Sequence, residues 1–268
     1  MGLLYEKLNS QTSEFLDRYF RCFPNRKIVR GSAESMIAAA KSNYDKAPYQ
    51  KYLCENWYKS LETGQPAFHL YGHGYYFTDV WVCWQMYSRK YVRSLVDGKL
   101  KNGRPIHPIL RGKVSSILDI GCGLGYSTAA LKQSFPSAKV FGLNLADTDQ
   151  FKFNQYLSNF FDFKMVAELG EVGQEIDLLF ASEYFEHIKN PFENFQEIFK
   201  FLKPKILVLA NSFNTYSYGH FVTYETLDGG SIDQSKVSRK FNSFLAEFGY
   251  RNIKTKNWNN KPAIWVRE

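Results

Sequence analysis

Two stretches of this chain carry side chains whose types and spacing suit chemistry. The first is Asp119-Ile120-Gly121-Cys122-Gly123-Leu124-Gly125, a carboxylate followed by three alternating glycines. Glycines spaced this way let backbone N–H groups approach a ligand closely, and the last lets a following helix pack tightly on a preceding strand. A dinucleotide-binding turn places its acid about 20 residues after the glycines. Here the acid leads, which suits a ligand carrying an amino group and no pyrophosphate. Asp119 has two readings: a charge-assisted hydrogen bond to that amino group, or a cap on the glycine turn. The second stretch is Ser182-Glu183-Tyr184-Phe185-Glu186-His187-Ile188. His187 has the ordinary pKa of a proton-transfer base at neutral pH; its other reading is a structural histidine that closes the loop. Glu183 and Tyr184 beside it suit the lining of a ligand pocket. His220 is a second candidate base. A third is His73, within the glycine-hinged aromatic stretch Tyr71-Gly72-His73-Gly74-Tyr75-Tyr76, which suits a lid or a packed loop.

The texture around these stretches says how they are positioned. From Val114 onward, apolar runs alternate with helical spacings. Strands are expected at Ser116–Ile120, Val140–Leu145, Phe163–Ala167, Ile176–Ala181, Ile206–Asn211, Ile253–Trp258 and Ala263–Arg267. The first five suit a buried parallel sheet. Phe192, Phe195, Ile198, Phe199 and Leu202 share one helical stripe. Val237, Phe241, Phe244, Leu245 and Phe248 share another, stopped at Gly249. Tyr126 to Ser134 follows the glycine turn as a helix. The last two strands flank Asn259-Asn260-Lys261-Pro262, too short for a crossover helix, so they pair antiparallel. In open α/β sheets ligands sit beyond the carboxyl ends of the strands, where both chemical stretches fall.

Residues 1 to about 97 read instead as helices with polar breaks. One stripe runs Phe15, Leu16, Tyr19, Phe20 and Phe23. A second helix spans Ser32 to Tyr44, and a third carries Tyr52, Leu53 and Trp57. A fourth runs from Val80 through Leu95, closed by Gly98. Lys99 to Arg111 reads as a linker. The expected organisation is an α-helical N-terminal cap with linker over 1–110, followed by a ligand-binding α/β domain over 111–268.

Asp119 to Gly125 resembles the first motif of class I S-adenosylmethionine (SAM) dependent methyltransferases. The resemblance extends over residues 114–268, because a parallel sheet that finishes in an antiparallel hairpin after a final helix is that family's pattern. It implies a seven-stranded, mostly parallel sheet, SAM as cofactor, and methyl transfer as the reaction. Carried over residue by residue, it implies that Asp119, Gly121, Cys122, Gly123 and Gly125 pass under the methionine and ribose. It puts Asn144 and Leu145 at the ribose, Glu168 at the adenine amino group, and Glu183 against the cofactor or acceptor. Asn144 stands where the family usually has an acid for the ribose diol; an amide keeps a donor and an acceptor but loses the charge. Asp147 is the alternative acid there. Glu186-His187-Ile188, followed by Pro191, resembles a segment of methyltransferases acting on small molecules.

The acceptor is less constrained. The [DNS]-P-P-[YFW] tetrapeptide of amino-group DNA methyltransferases is absent after the fourth strand, and so is a Pro-Cys nucleophile. A small or nucleotide-sized acceptor is therefore expected. The alternatives are a nucleic-acid-modifying enzyme and a non-catalytic binding module. The net charge of +8 from 34 Lys+Arg against 26 Asp+Glu keeps nucleic acid among the candidate partners, though no block of basic residues appears. Cys22, Cys54, Cys83 and Cys122 lie far apart, so neither a disulfide framework nor a metal site is expected, and a reducing cytoplasm fits. No apolar run approaches a membrane span, and no membrane partner is expected.

Overall fold

The computed structural model describes residues 48–72, 91–146, 148–257 and 261–267. The two expected helices before Pro48, most of the fourth helical segment, His73 with the part of its loop beyond Gly72, and Asp147 lie outside the described residues.

Among the described residues nine strands form: β1 (Ser116–Ile120), β2 (Lys139–Leu143), β3 (Lys164–Val166), β4 (Leu178–Ser182), β5 (Ile206–Ala210), β6 (Thr223–Glu225), β7 (Ser231–Asp233), β8 (Arg251–Ile253) and β9 (Ala263–Val266). Seven of them make one sheet in the order β3-β2-β1-β4-β5-β9-β8, with β6 and β7 in a separate two-stranded sheet. β1 to β5 are mutually parallel, and β9 runs antiparallel between β5 and β8. This is the expected sheet with its antiparallel end.

The helices are α1 (Pro48–Glu62), α2 (Arg93–Asp97), α3 (His107–Leu110), α4 (Tyr126–Ser134), α5 (Asp149–Phe161), α6 (Pro191–Leu202) and α7 (Gln234–Glu247). Strand alternation divides the core between the two faces of the sheet. Ile117, Leu178 and Phe180 face the side covered by α2 to α5, where Leu95, Leu110, Ala129 and Leu157 pack. Leu118, Leu179 and Leu207 face the side covered by α1, α6 and α7, where Trp57, Phe195 and Phe241 pack. α7 starts at Asp233, whose side chain accepts from the Ser235 N–H, an acceptor for one of the orphan donors of a first turn.

Two expectations need correction, and one hairpin was unforeseen. The strand expected at Ile253–Trp258 lies earlier, at Arg251–Ile253; Thr255 has already left the ladder to bridge Leu100. Lys99–Arg111 is no free linker. Lys99 bridges Pro105, and Ile106 and Leu110 are 2% and 1% exposed, so burial of two apolar side chains pins the segment to the core. The β6–β7 hairpin was not anticipated, because Thr223–Glu225 and Ser231–Asp233 are too short and too polar to read as strands.

Candidate functional site

β1 ends on the side covered by α4 and delivers Asp119 to that helix's first turn. Ser127 Oγ and Thr128 Oγ1 each donate to Asp119 Oδ2 at 2.6 Å. Asp119 is 2% exposed. Burial pushes its carboxyl up to about 7, against the pull of the two hydroxyls. Both hydroxyls use one oxygen, so Oδ1 has no hydrogen-bond partner among the described residues.

The glycines beyond it are demanded largely by packing. Gly125 caps α4 with φ +79°, and a side chain there would collide with Asn154. A Cβ on Gly121 would lie 2.5 Å from the Tyr184 ring, which brings the turn after β4 against the turn after β1. The Gly123 carbonyl is gripped twice, by Asn154 Nδ2 at 2.5 Å and Asn144 Nδ2 at 2.9 Å. Asn144 Oδ1 accepts from the Leu145 N–H at 2.9 Å. Both polar ends of Asn144 are therefore engaged within the chain, in the loop's support. Leu145 is 60% exposed beside it. Cys122 is buried, which raises its thiol well above the ordinary range. Glu168 is exposed and caps the 3-10 turn Leu169–Val172 in a reciprocal box with Glu171.

The second stretch forms a 3-10 turn, Phe185–His187, directly after β4. Phe185 nails it down, with its ring centroid 4.9 Å from Phe241 and 6.2 Å from Phe195. Glu186 is fully buried. Its Oε1 accepts from the Ser212 N–H at 2.5 Å, while no donor among the described residues meets Oε2. Burial, and then the neighbouring Glu183 charge, lift the Glu186 carboxyl well above the usual range. Tyr224 on β6 donates to the Glu186 carbonyl at 2.9 Å, which gives the unanticipated hairpin a role in holding this turn. Glu183 sits in left-handed backbone at φ +53° and accepts from Tyr91 at 3.3 Å and from Ser212 Oγ at 3.4 Å.

His187 and His220 meet edge to face, with ring centroids 4.7 Å apart. His187 Nδ1 is 2.8 Å from the Tyr71 hydroxyl. Burial, then the His220 ring, pulls its pKa down to about 3. His220 is 3% exposed; its Nδ1 donates to the Thr215 carbonyl at 2.9 Å, and burial pulls its pKa down to about 4. The Trp57 indole donates to the His220 carbonyl at 2.6 Å, so α1 reaches across to this rim. Ligand atoms of Glu183, Glu186 and His220 all lie within 4.8 Å of one another.

Of the sequence-expected residues, Asp119, Gly121, Cys122, Gly123, Gly125, Asn144 and Leu145 gather at the turns after β1 and β2, and Glu183, His187 and His220 gather after β4 and β5. Glu168 stands apart, beyond β3. Sequence reasoning missed Ser127, Thr128, Asn154, Tyr91 and Tyr224. Only the first two had a signal, as hydroxyls opening a helix directly after the glycine turn. A separate cleft of about 930 Å³ opens at the opposite end of the sheet, lined by Arg111, Ser115, Phe135, Lys205 and Arg251. It lies beyond the amino ends of the strands, away from the side chains above.

Among solved structures, the chain resembles a fibrillarin/Nop5p complex at 13% identity, covering 60% of this chain and 78% of that one, with a TM-score of 0.40. It also resembles an O-methyltransferase from a trans-AT PKS multienzyme of Brevibacillus brevis, in complex with S-adenosyl-L-homocysteine. There the identity is 19%, the coverage 52% and 48%, and the TM-score 0.39. PKMT2 of Rickettsia typhi, in complex with AdoHcy, matches at 15% identity, 36% and 21% coverage and TM-score 0.31. The chain thus spans about a fifth of the Rickettsia protein and half of the Brevibacillus one. No curated protein sequence matches it. The family model described as a methyltransferase domain matches residues 89–255, well over half of the chain. The chain belongs to that methyltransferase family, within class I of the SAM-dependent enzymes, and S-adenosylmethionine is its cofactor.

Proposed function

We propose that this protein transfers a methyl group from SAM to a small or nucleotide-sized acceptor held at the carboxyl ends of β4 and β5. When bound, SAM supplies a methyl carbon on a sulfonium leaving group. The chain's own residues then bind and orient. The observation that carries this reading is Asp119: a buried carboxylate at the end of β1 with one oxygen committed to Ser127 and Thr128 and the other uncommitted. That donor set fits the methionine ammonium, and pairing with a cation would favour the ionised form that burial opposes.

In this reading Gly121, Cys122, Gly123 and Gly125 form the floor under the methionine and ribose. Asn144 acts by holding the Gly123 carbonyl, and Leu145 offers an apolar wall. Glu168 keeps its place near the adenine. His187 and His220 are neutral imidazoles at neutral pH and form the acceptor rim, with Glu183 between the rim and the cofactor. The described residues of the helical region before the sheet border that rim. Tyr71 and Trp57 support this, since both reach from the helical region to the two histidines.

Calorimetric titration with SAM and with S-adenosylhomocysteine tests the cofactor half. Saturable binding of both is expected, and no heat at high micromolar ligand would leave a methyltransferase-like binding module instead. Transfer of labelled methyl into fractionated small molecules and into RNA tests the acceptor half. Label confined to nucleic acid, with binding that falls steeply as salt rises, would make the nucleic-acid reading the correct one.

A further inference from the structure

We propose that Glu183, Glu186 and His220 form a binding site for one divalent cation of the Mn²⁺ type. Nothing in the SAM reading uses these three side chains together, yet their ligand atoms converge within 4.8 Å. Three independent features point to a bound cation rather than to a chance acidic cluster. Glu186 is fully buried, and no donor among the described residues meets its Oε2, while Glu183 brings a second carboxyl against it; a buried pair of carboxyls is costly unless a proton or a cation meets it. His220 is oriented through Nδ1 by the Thr215 carbonyl, the usual support of a metal-binding imidazole, and its ring offers a ligand atom within reach of both carboxylates. Glu183 occupies a left-handed backbone position at φ +53°, a conformation that costs a non-glycine residue and here turns its carboxylate toward the other two.

The surroundings fit as well. Ser182 Oγ and Asn211 Oδ1, at the ends of β4 and β5, are also buried without a hydrogen-bond partner among the described residues. Lys261 Nζ is directed to Ser212 Oγ at 3.2 Å, and no ion pair with these carboxylates is found among the described residues. Two carboxylates and one imidazole make a mixed oxygen and nitrogen set. Carboxylates favour Mg²⁺ and Mn²⁺, imidazole favours the later transition metals, and Mn²⁺ accepts both. Three protein ligands leave coordination positions open toward the acceptor rim. Resting on the proposed function, the ion's use is to fix an acceptor bearing a hydroxyl or other hard oxygen by direct coordination, and to make its proton easier to lose. The ion site itself stands without that reading.

The test starts from the full chain stripped with chelator and dialysed free of it. Mn²⁺ is titrated in while free ion is followed by electron paramagnetic resonance, with Mg²⁺ and Zn²⁺ as competitors. One equivalent is expected to bind. Glu183→Gln, Glu186→Gln and His220→Gln are each expected to weaken it at least tenfold. Binding of Mn²⁺ is also expected to raise the thermal midpoint of the unsubstituted protein and not that of Glu183→Gln, whose half-exposed position makes it the variant least prone to misfold. Stoichiometric binding that survives all three substitutions, or no binding in the unsubstituted protein, overturns the site. SAM affinity is expected to change less than threefold with chelation, so loss of SAM binding with an intact ion site would count against the methyltransferase reading alone. Conversely, intact SAM binding with no ion bound would count against the ion alone.

Discussion

The two ends of the central sheet treat buried carboxylates in opposite ways. At the amino end, Asp177 precedes β4 and is saturated with donors. Its Oδ2 accepts from the Ser115 N–H and Oγ at 2.9 and 2.7 Å and from the Ser116 N–H at 3.2 Å, and Lys205 Nζ reaches Oδ1 at 2.8 Å. Burial pulls that carboxyl upward, but Lys205 and Ser115 outweigh it and hold it far below the usual range. At the carboxyl end, Asp119 has only two hydroxyls on one oxygen, and Glu186 has one N–H and an orphaned oxygen. Both are pushed up. The same residue class thus ties β1 to β4 at one end and is left underpaired at the other, the environment in which shifted carboxyls gather at functional sites.

The largest expected effect lies at the tied end. Asp177→Ala strands the Ser115 and Ser116 donors, each buried donor left unpaired being worth about 1–3 kcal/mol. Loss of about 2–4 kcal/mol of stability is expected by denaturant titration, with the SAM dissociation constant of the folded fraction unchanged. An unchanged midpoint would mean that the network contributes little and that the contrast between the ends is superficial. Asp119→Asn probes the other end. It keeps the shape and removes the charge, so SAM affinity should fall roughly 10–100-fold, as for loss of a hydrogen bond to a charged group, while thermal stability holds or rises. A marked loss of stability would move Asp119 into the structural class with Asp177.

Much of this contrast was legible in the residues, and the illegible part has physical causes. Asp119 and its glycines announced themselves because strand, turn and helix are consecutive in sequence. The parallel core followed from apolar runs, since strands buried on both faces cannot alternate. Asn144 stood out as an amide where an acid was expected, but its partner, the Gly123 carbonyl, lies 21 residues away and became visible only when the fold closed. Glu186 looked like part of a short motif. Its setting depends on Ser212 after β5, whose N–H meets Oε1, and on Tyr224, which holds its carbonyl from a hairpin too polar to anticipate. Packing of Ile106 and Leu110 likewise turned an expected linker into part of the core.

A pH series sharpens the same contrast because the two aspartates act with opposite sign. Asp119 in the folded chain keeps its proton up to about 7, whereas the unfolded chain releases it near the ordinary 3.8. Its contribution to stability is therefore greatest below pH ~4 and declines until pH ~7. His187 and His220, lowered to about 3 and 4 from 6.5, act the other way, with stability complete above 6.5 and lost as pH falls. Asp177 contributes fully above the ordinary carboxyl range and loses its share only in stronger acid. Subtracting the wild-type thermal midpoint from that of Asp119→Asn cancels the histidines and Asp177. The difference should rise with pH between 4 and 7 and then level off. SAM affinity of the wild type should rise over the upper part of the same window, as the carboxylate facing the ammonium becomes ionised. A flat difference curve would show that Asp119 is paired in the free protein after all.

The smallest effect expected is also the most discriminating for the cofactor turn. Asn144→Asp restores the acid that the family usually places after the second strand, so a ribose-binding role predicts tighter SAM binding. The geometry predicts the reverse. Asn144 Nδ2 donates to the Gly123 carbonyl, and a carboxylate there would set two acceptors against each other, leaving Asn154 as the carbonyl's sole amide donor. Loss of a neutral hydrogen bond is worth about 1 kcal/mol, so SAM should bind roughly fivefold more weakly by calorimetry, with little change in overall stability. Tighter binding would mean that the turn tolerates losing this grip and that position 144 faces the ribose.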